Sequence, residues 1–180
     1  MKIDLSCPAE VLRVEPPKED RPYAALTLFN LSDRSVVSAE ATVRLLDREG
    51  KEKARAVHRA RALTGRPHTA FTMTVPMDAS AGTLHAEAVL DKVWFVDNDV
   101  WRRAPGKEIE YESNMLPPSQ HLNALKFAAG ENAVGFPSQQ AECWICVCGR
   151  PNENRSTVCV RCLRQKDLIF SRYNRQEVEK

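Results

Sequence analysis

The chain has 180 residues, 43% of them hydrophobic and 28% charged, with a formal net charge of +2. That composition is globular, and the length suits one ordinary domain with an appendage or two small domains. The near-neutral balance carries no whole-chain signal for nucleic acid or a strongly acidic partner, and no apolar run approaches the ~20 residues of a membrane helix.

The opening stretch "MKIDLSCPAEVLRVEPPKED" lacks the apolar segment of a signal peptide. Export is therefore not expected, and the cytoplasm is the expected compartment. "LSC" at Leu5 to Cys7 has the outline of a lipoprotein cleavage site, but no hydrophobic segment precedes it. Cys7 reads instead as a small buried hydrophobe near the first strand.

Residues 1–105 read as β. "YAALTLFNLS" places Ala24, Leu26 and Leu28 on one face at period two. "NLSDRS" then supplies turn-favouring Asn, Ser and Asp. "VVSAEATVRLL" puts Val37, Ala39, Ala41, Val43 and Leu45 on one face and Glu40, Thr42 and Arg44 on the other. "DREGKE" offers a hairpin turn in which Gly50 takes a positive φ. "TAFTMTVP" aligns Phe71, Met73 and Val75, and "TLHAEAVL" aligns Leu84, Ala86, Ala88 and Leu90. "KVWFVDNDVW" is more continuously apolar. Short strands at this spacing predict an antiparallel sandwich, with no helix before residue 105. The run from Leu26 to Glu52 resembles the early strands of an immunoglobulin-like or fibronectin-type sandwich. It departs from antibody domains in having no cysteine pair across the sheets, and the resemblance implies a fold and no activity.

Residues 106–142 carry two basic and five acidic residues, net −3. "MLPPSQHLNALKFAAG" predicts a short helix: Pro117 and Pro118 precede it, Ser119 caps it and Gly130 ends it. Leu122, Leu125 and Ala129 would face a neighbour. "ENAVGFPSQQAE" is then extended. So many apolar residues predict a packed connector instead of a flexible linker.

Residues 143–180 hold five of the six cysteines, in "CWICVCGRPNENRSTVCVRC". Thiols stay reduced in the cytosol, so this clustering points to a metal and not to disulfides. Thiolate softness and short paired spacings favour zinc, one structural ion per chain. Cys159 and Cys162 form one clear pair. On the other side two pairings are open: Cys143 with Cys146, or Cys146 with Cys148. Gly149 follows Cys148, and a glycine there permits the positive φ that turns backbone N–H groups toward sulfur; no glycine follows Cys146.

The run W-x-C-x-C-G-x-x-N-x6-C-x-x-C, from Trp144 through Asn152 to Cys162, resembles a bacterial zinc-ribbon tail and the Ran-binding-protein-type zinc finger. The resemblance implies Cys146, Cys148, Cys159 and Cys162 as metal ligands, with Cys143 left over. It implies that Trp144 packs over the finger and that Asn152 ties the loop between the two ligand pairs.

Ubiquitin-binding fingers of this type carry Thr-Phe after the second cysteine, where this chain has Gly149 and Arg150. RNA-binding ones carry an aromatic residue after the Asn, where this chain has Glu153. Arg150, Arg155, Arg161 and Arg164 could contact phosphate, but scattered arginines are usually solvated surface. The segment's eight basic and four acidic residues give +4. Four thiolates and one Zn²⁺ add −2, leaving about +2. The tail "LRQKDLIFSRYNRQEVEK" could form a short helix with Ile169 and Tyr173 four apart.

No catalytic constellation is visible. His58, His68, His85 and His121 are scattered, Asp97 and Asp99 sit where a turn is expected, and no phosphate-binding glycine loop occurs. The expectation is a non-enzymatic interaction or scaffold protein with an unknown protein partner and no membrane association. The alternative is a nucleic-acid-associated protein that uses the basic finger.

Overall fold

The computed structural model describes residues 1–79 and 83–179. Lys180, the last residue of the predicted tail, lies outside them. The described chain is mainly β, with antiparallel sheets, and divides into two compact units. One is Ser6–Ala104; the other joins Met1–Leu5 to Pro105–Lys180.

The unit Ser6–Ala104 holds β2 (Ala9–Glu15), β3 (Tyr23–Asn30), β4 (Val36–Leu46), β5 (Glu52–Gly65), β6 (Ala70–Pro76), β7 (His85–Phe95) and β8 (Val100–Arg102). They form two sheets, β2-β3-β6 and β5-β4-β7-β8, with every pairing antiparallel. Leu26 and Leu28 of β3, Met73 and Val75 of β6, Val43 and Leu45 of β4, and Val93 and Phe95 of β7 are buried in one apolar core shared by both sheets. Each such side chain withdrawn from water contributes roughly 1.5–3 kcal/mol before entropy is counted.

Two sequence expectations are displaced. Val36, not Val37, is buried at the start of β4, because register shifts between Val36 and Ser38 toward both β5 and β7. An inserted residue reverses the parity of everything before it. Leu84 is 64% exposed because β7 begins only at His85. The turn after β4 forms as expected. Gly50 has φ 78°, and Asp47 Oδ1 accepts from the backbone N–H groups of Glu49 and Lys51. Asp97 and Asp99 also serve a turn, both accepting from Arg34 Nη1, at 3.2 and 2.8 Å.

In the second unit, β1 (Lys2–Asp4) pairs antiparallel with β9 (Glu108–Glu110). Helix α1 (Gln120–Ala129) starts where Ser119 Oγ accepts from Leu122 N at 3.3 Å and ends at Gly130, φ 91°. It buries Leu125 and Ala129, while Leu122 is half-buried. β10 (Ser138–Gln139), β11 (Cys143–Ile145) and β12 (Pro151–Glu153) form a small antiparallel sheet. The tail folds as α2 (Lys166–Arg172) and α3 (Arg175–Val178). They are separated at Asn174, whose Oδ1 accepts from Glu177 N and whose amide donates to the carbonyls of Phe170 and Ser171. Leu125, Ala129, Trp144 and Ile169 share one apolar cluster with the cysteines, and Phe170 and Tyr173 pack against it.

Candidate metal centre

The sulfur atoms of Cys146, Cys148, Cys159 and Cys162 all lie within 4.8 Å of one another. Cys146 Sγ is 3.5 Å from Cys162 Sγ, and Cys148 Sγ is 3.7 Å from Cys159 Sγ. Cys146, Cys148 and Cys159 are buried and Cys162 is half-buried. Cys143 is buried at the start of β11 and outside this group. Four thiols so arranged can hold a metal ion.

Two tight backbone turns deliver them. In the first, Gly149 N donates to Cys146 O at 2.9 Å and Cys146 N to Arg150 O at 3.0 Å. Gly149 has φ 83°, and a Cβ there would meet Val134 Cγ2 at 2.8 Å. In the second, Leu163 N donates to Cys159 O and Cys159 N to Arg164 O, both at 2.9 Å. The left-handed position of this turn is held by Leu163, φ 60°, without a glycine's freedom.

Charge at the cluster follows from crowding. Four neighbouring thiols cannot all ionise unaided, so protons are shared. Hydrogen bonds from Cys146, then Cys148, hold the Cys162 thiol down at about 7. Cys159 is driven well below the ordinary thiol range by hydrogen bonds from Cys146, Cys148 and Cys162. Cys146, donating to its neighbours and buried, is pushed far above that range. A bound cation removes the conflict by stabilising the thiolates together. For Cys143 the direction is upward, from burial and then the Glu142 charge.

Trp144 is fully buried, donates from Nε1 to Ser156 O at 3.0 Å and meets Phe170 edge-on at 6.1 Å. Asn152 donates from Nδ2 to Arg150 O at 2.8 Å and accepts from Val160 N at 2.9 Å, which joins the two turns. The four arginines do not point out together. Arg150 is 2% exposed. Arg161 donates to Cys148 O at 2.7 Å and Arg164 to Ala129 O at 2.6 Å. Arg155 pairs with Glu153, Nε to Oε2 at 2.6 Å.

One contributor carried no sequence signal. Asn114 donates from Nδ2 to the carbonyls of Phe136 and Cys146, at 2.8 and 3.0 Å. Its own carbonyl oxygen is so close to Gly135 that a Cβ there would sit 1.7 Å from it.

No family model matches the chain, and no curated protein matches it. One solved structure, a hypothetical protein from Peptoclostridium difficile 630, is similar over 55% of this chain and 88% of its own. Its identity is 10% and its TM-score 0.43, a likeness that carries no argument. Among the described residues no helix is long and apolar enough to cross a membrane.

Proposed function

We propose that Cys146, Cys148, Cys159 and Cys162 hold one structural zinc ion, and that the protein is a non-enzymatic interaction module of the cytoplasm. The observation that carries the metal reading is the mutual 4.8 Å limit on the four sulfur atoms, in a cluster packed among apolar side chains. Zinc–sulfur bonds of ~2.3 Å give a tetrahedron with edges of about 3.8 Å, and the 3.5 and 3.7 Å separations fit it. Four soft donors favour zinc over harder cations. Four thiolates close the coordination shell and leave no position for substrate, which supports a structural ion.

The finer fold reading is an immunoglobulin- or fibronectin-like sandwich followed by a zinc ribbon. The strand orders β2-β3-β6 and β5-β4-β7-β8 around one core support the first. The two turns, bridged by Asn152 and covered by Trp144, support the second. By this reading the sandwich is the unit Ser6–Ala104 within the expected 1–105, with 106–142 a packed connector and 143–180 the ribbon and basic tail. The nucleic-acid alternative draws less support, since Arg161 and Arg164 are spent on backbone carbonyls and Arg155 on Glu153.

Native mass spectrometry is expected to find one zinc per chain, and a pull-down from the native host to recover protein. A chain without zinc would refute the metal reading, and recovery of nuclease-sensitive material alone would promote the alternative.

A further inference from the structure

The sheet β5-β4-β7-β8 leaves the far edge of β5 without a strand partner among the described residues. This edge strand is 14 residues long. β6 lies against its C-terminal end, where a Cβ on Gly65 would meet Phe71 Cδ1 at 3.1 Å. Inward, Ala54, Ala56 and Ala60 pack on the core. Outward stand Lys53, Arg55, Val57, Arg59 and Arg61, all exposed.

The sheet neutralises this row only in part. Of the acids on this face of β4 and β7, Glu40 is taken by Lys92 at 2.6 Å and Glu87 by Arg44 at 2.7 Å, while Asp91 accepts from Thr42 Oγ1 at 2.7 Å. Lys53 pairs with Asp47 at 3.6 Å, and Arg55 pairs with Glu52 of its own strand. Arg59 lies 3.8 Å over the Trp94 ring and donates to Ser38 Oγ. Arg61 makes no ion pair among the described residues.

We propose that the β5 edge docks an extended acidic segment of a partner protein, which adds to the sheet as a further strand. A strand added there would place its same-face side chains ~4.5–5.5 Å from those of β5. Lys53, Arg55, Arg59 and Arg61 call for carboxylates opposite them, and Val57, 62% exposed, calls for an apolar residue. The complementary segment therefore alternates: acid, x, acid, x, apolar, x, acid, x, acid. Main-chain pairing supplies affinity and the alternation supplies specificity. A second copy of this chain is the wrong occupant, because two such rows would repel. Nucleic acid fits less well, because Trp94 is already covered by Arg59 and offers no ring for a base to stack on. The proposal rests on the interaction-module reading for its biology and is independent of the metal.

The test is a fluorescence-anisotropy titration of the full chain with labelled Glu-Thr-Glu-Thr-Val-Thr-Glu-Thr-Glu. The controls are a scrambled peptide of equal charge, two peptides N-methylated at alternate residues, and single-stranded oligouridylate. The alternating peptide should bind at least about tenfold tighter than the scrambled one, and one of the two methylated peptides should lose binding. Lys53→Glu with Arg61→Glu should weaken binding by about tenfold or more, with circular dichroism unchanged. Arg61→Gln gives a milder loss in the same direction and guards against misfolding of the double variant. Equal binding of the alternating and scrambled peptides, or indifference to both methylations, would overturn strand addition. Capture of a host protein that survives Arg61→Glu would sink this edge and leave the interaction module standing. Tighter binding of oligouridylate than of any peptide would sink both.

Discussion

Asn114 Nδ2 lies 3.0 Å from the carbonyl oxygen of Cys146, so a residue ahead of α1 holds the backbone of the first cysteine turn. The same amide holds Phe136 O at 2.8 Å. Replacing Asn114 by Ala removes that donor from Phe136 O and leaves Cys146 O with Gly149 N alone, at a cost of about 1–3 kcal/mol. Chemical denaturation should show this loss, and zinc should transfer to a chelator faster. Asn114→Asp keeps the volume but removes the donors, and should fail in the same way. Wild-type behaviour of both variants would show that the bonds are dispensable.

The ligand set is tested by single substitutions. Cys148→Ser should lose zinc, and Cys143→Ser should keep it, because the Cys143 sulfur is outside the cluster. Metal analysis with the opposite result would assign the ion to the Cys143–Cys146 pair instead.

The two turns should respond in opposite ways to small changes. Gly149→Ala adds a Cβ 2.8 Å from Val134 Cγ2 at φ 83°, and should destabilise by more than about 1 kcal/mol. Leu163→Gly relieves a non-glycine residue at φ 60°, and its side chain is 53% exposed. It should be neutral or stabilising by up to ~1 kcal/mol, since the relief offsets the added chain entropy. Thermal unfolding of the zinc-loaded protein distinguishes the two.

Chelation should separate the units. Ser6–Ala104 has its own apolar core and should keep its β signal in circular dichroism. The cluster of Trp144 and Ile169 includes the cysteines themselves and should loosen, exposing Trp144. Loss of all β signal on zinc removal would show that the units do not fold independently.

Local sequence pattern encodes some of this architecture and not the rest. β6 alternates Phe71, Met73 and Val75 with Thr and Ala, and the centre of β3 sets Leu26 and Leu28 against Ala25 and Thr27, so their faces could be read directly. β5 could not, because its inward face is built of alanines and its outward face of Lys and Arg, neither of which favours strands. Its identity comes from pairing with β4 along nearly its whole length. The bulge that buries Val36 is a property of two strands together and leaves no mark in one. The cysteines announced themselves by spacing, and Gly149 by position. Asn114 acts on carbonyls 22 and 32 residues away, a relationship no local pattern encodes.

The residue after Asn152 is Glu153, so the cysteine-bearing segment lacks an aromatic ring there for a base to stack on. Its arginines are committed elsewhere: Arg161 and Arg164 donate to Cys148 O and Ala129 O, and Arg150 is buried. Arg155 is the most available, with its side chain 87% exposed, but Glu153 stands 2.6 Å away. A phosphate must compete with that carboxylate, and residues 106–142 add a further net −3 in the same unit. The basic row of β5 can attract any polyanion weakly, and that attraction should fade with salt. Titration with single-stranded RNA and duplex DNA at two salt concentrations should therefore give binding weaker than ~10⁻⁶ M at physiological salt. Sub-micromolar affinity lost on Arg155→Ala would make the cysteine-bearing segment a nucleic-acid reader, and the same affinity lost on Arg61→Glu would move that role to the sheet.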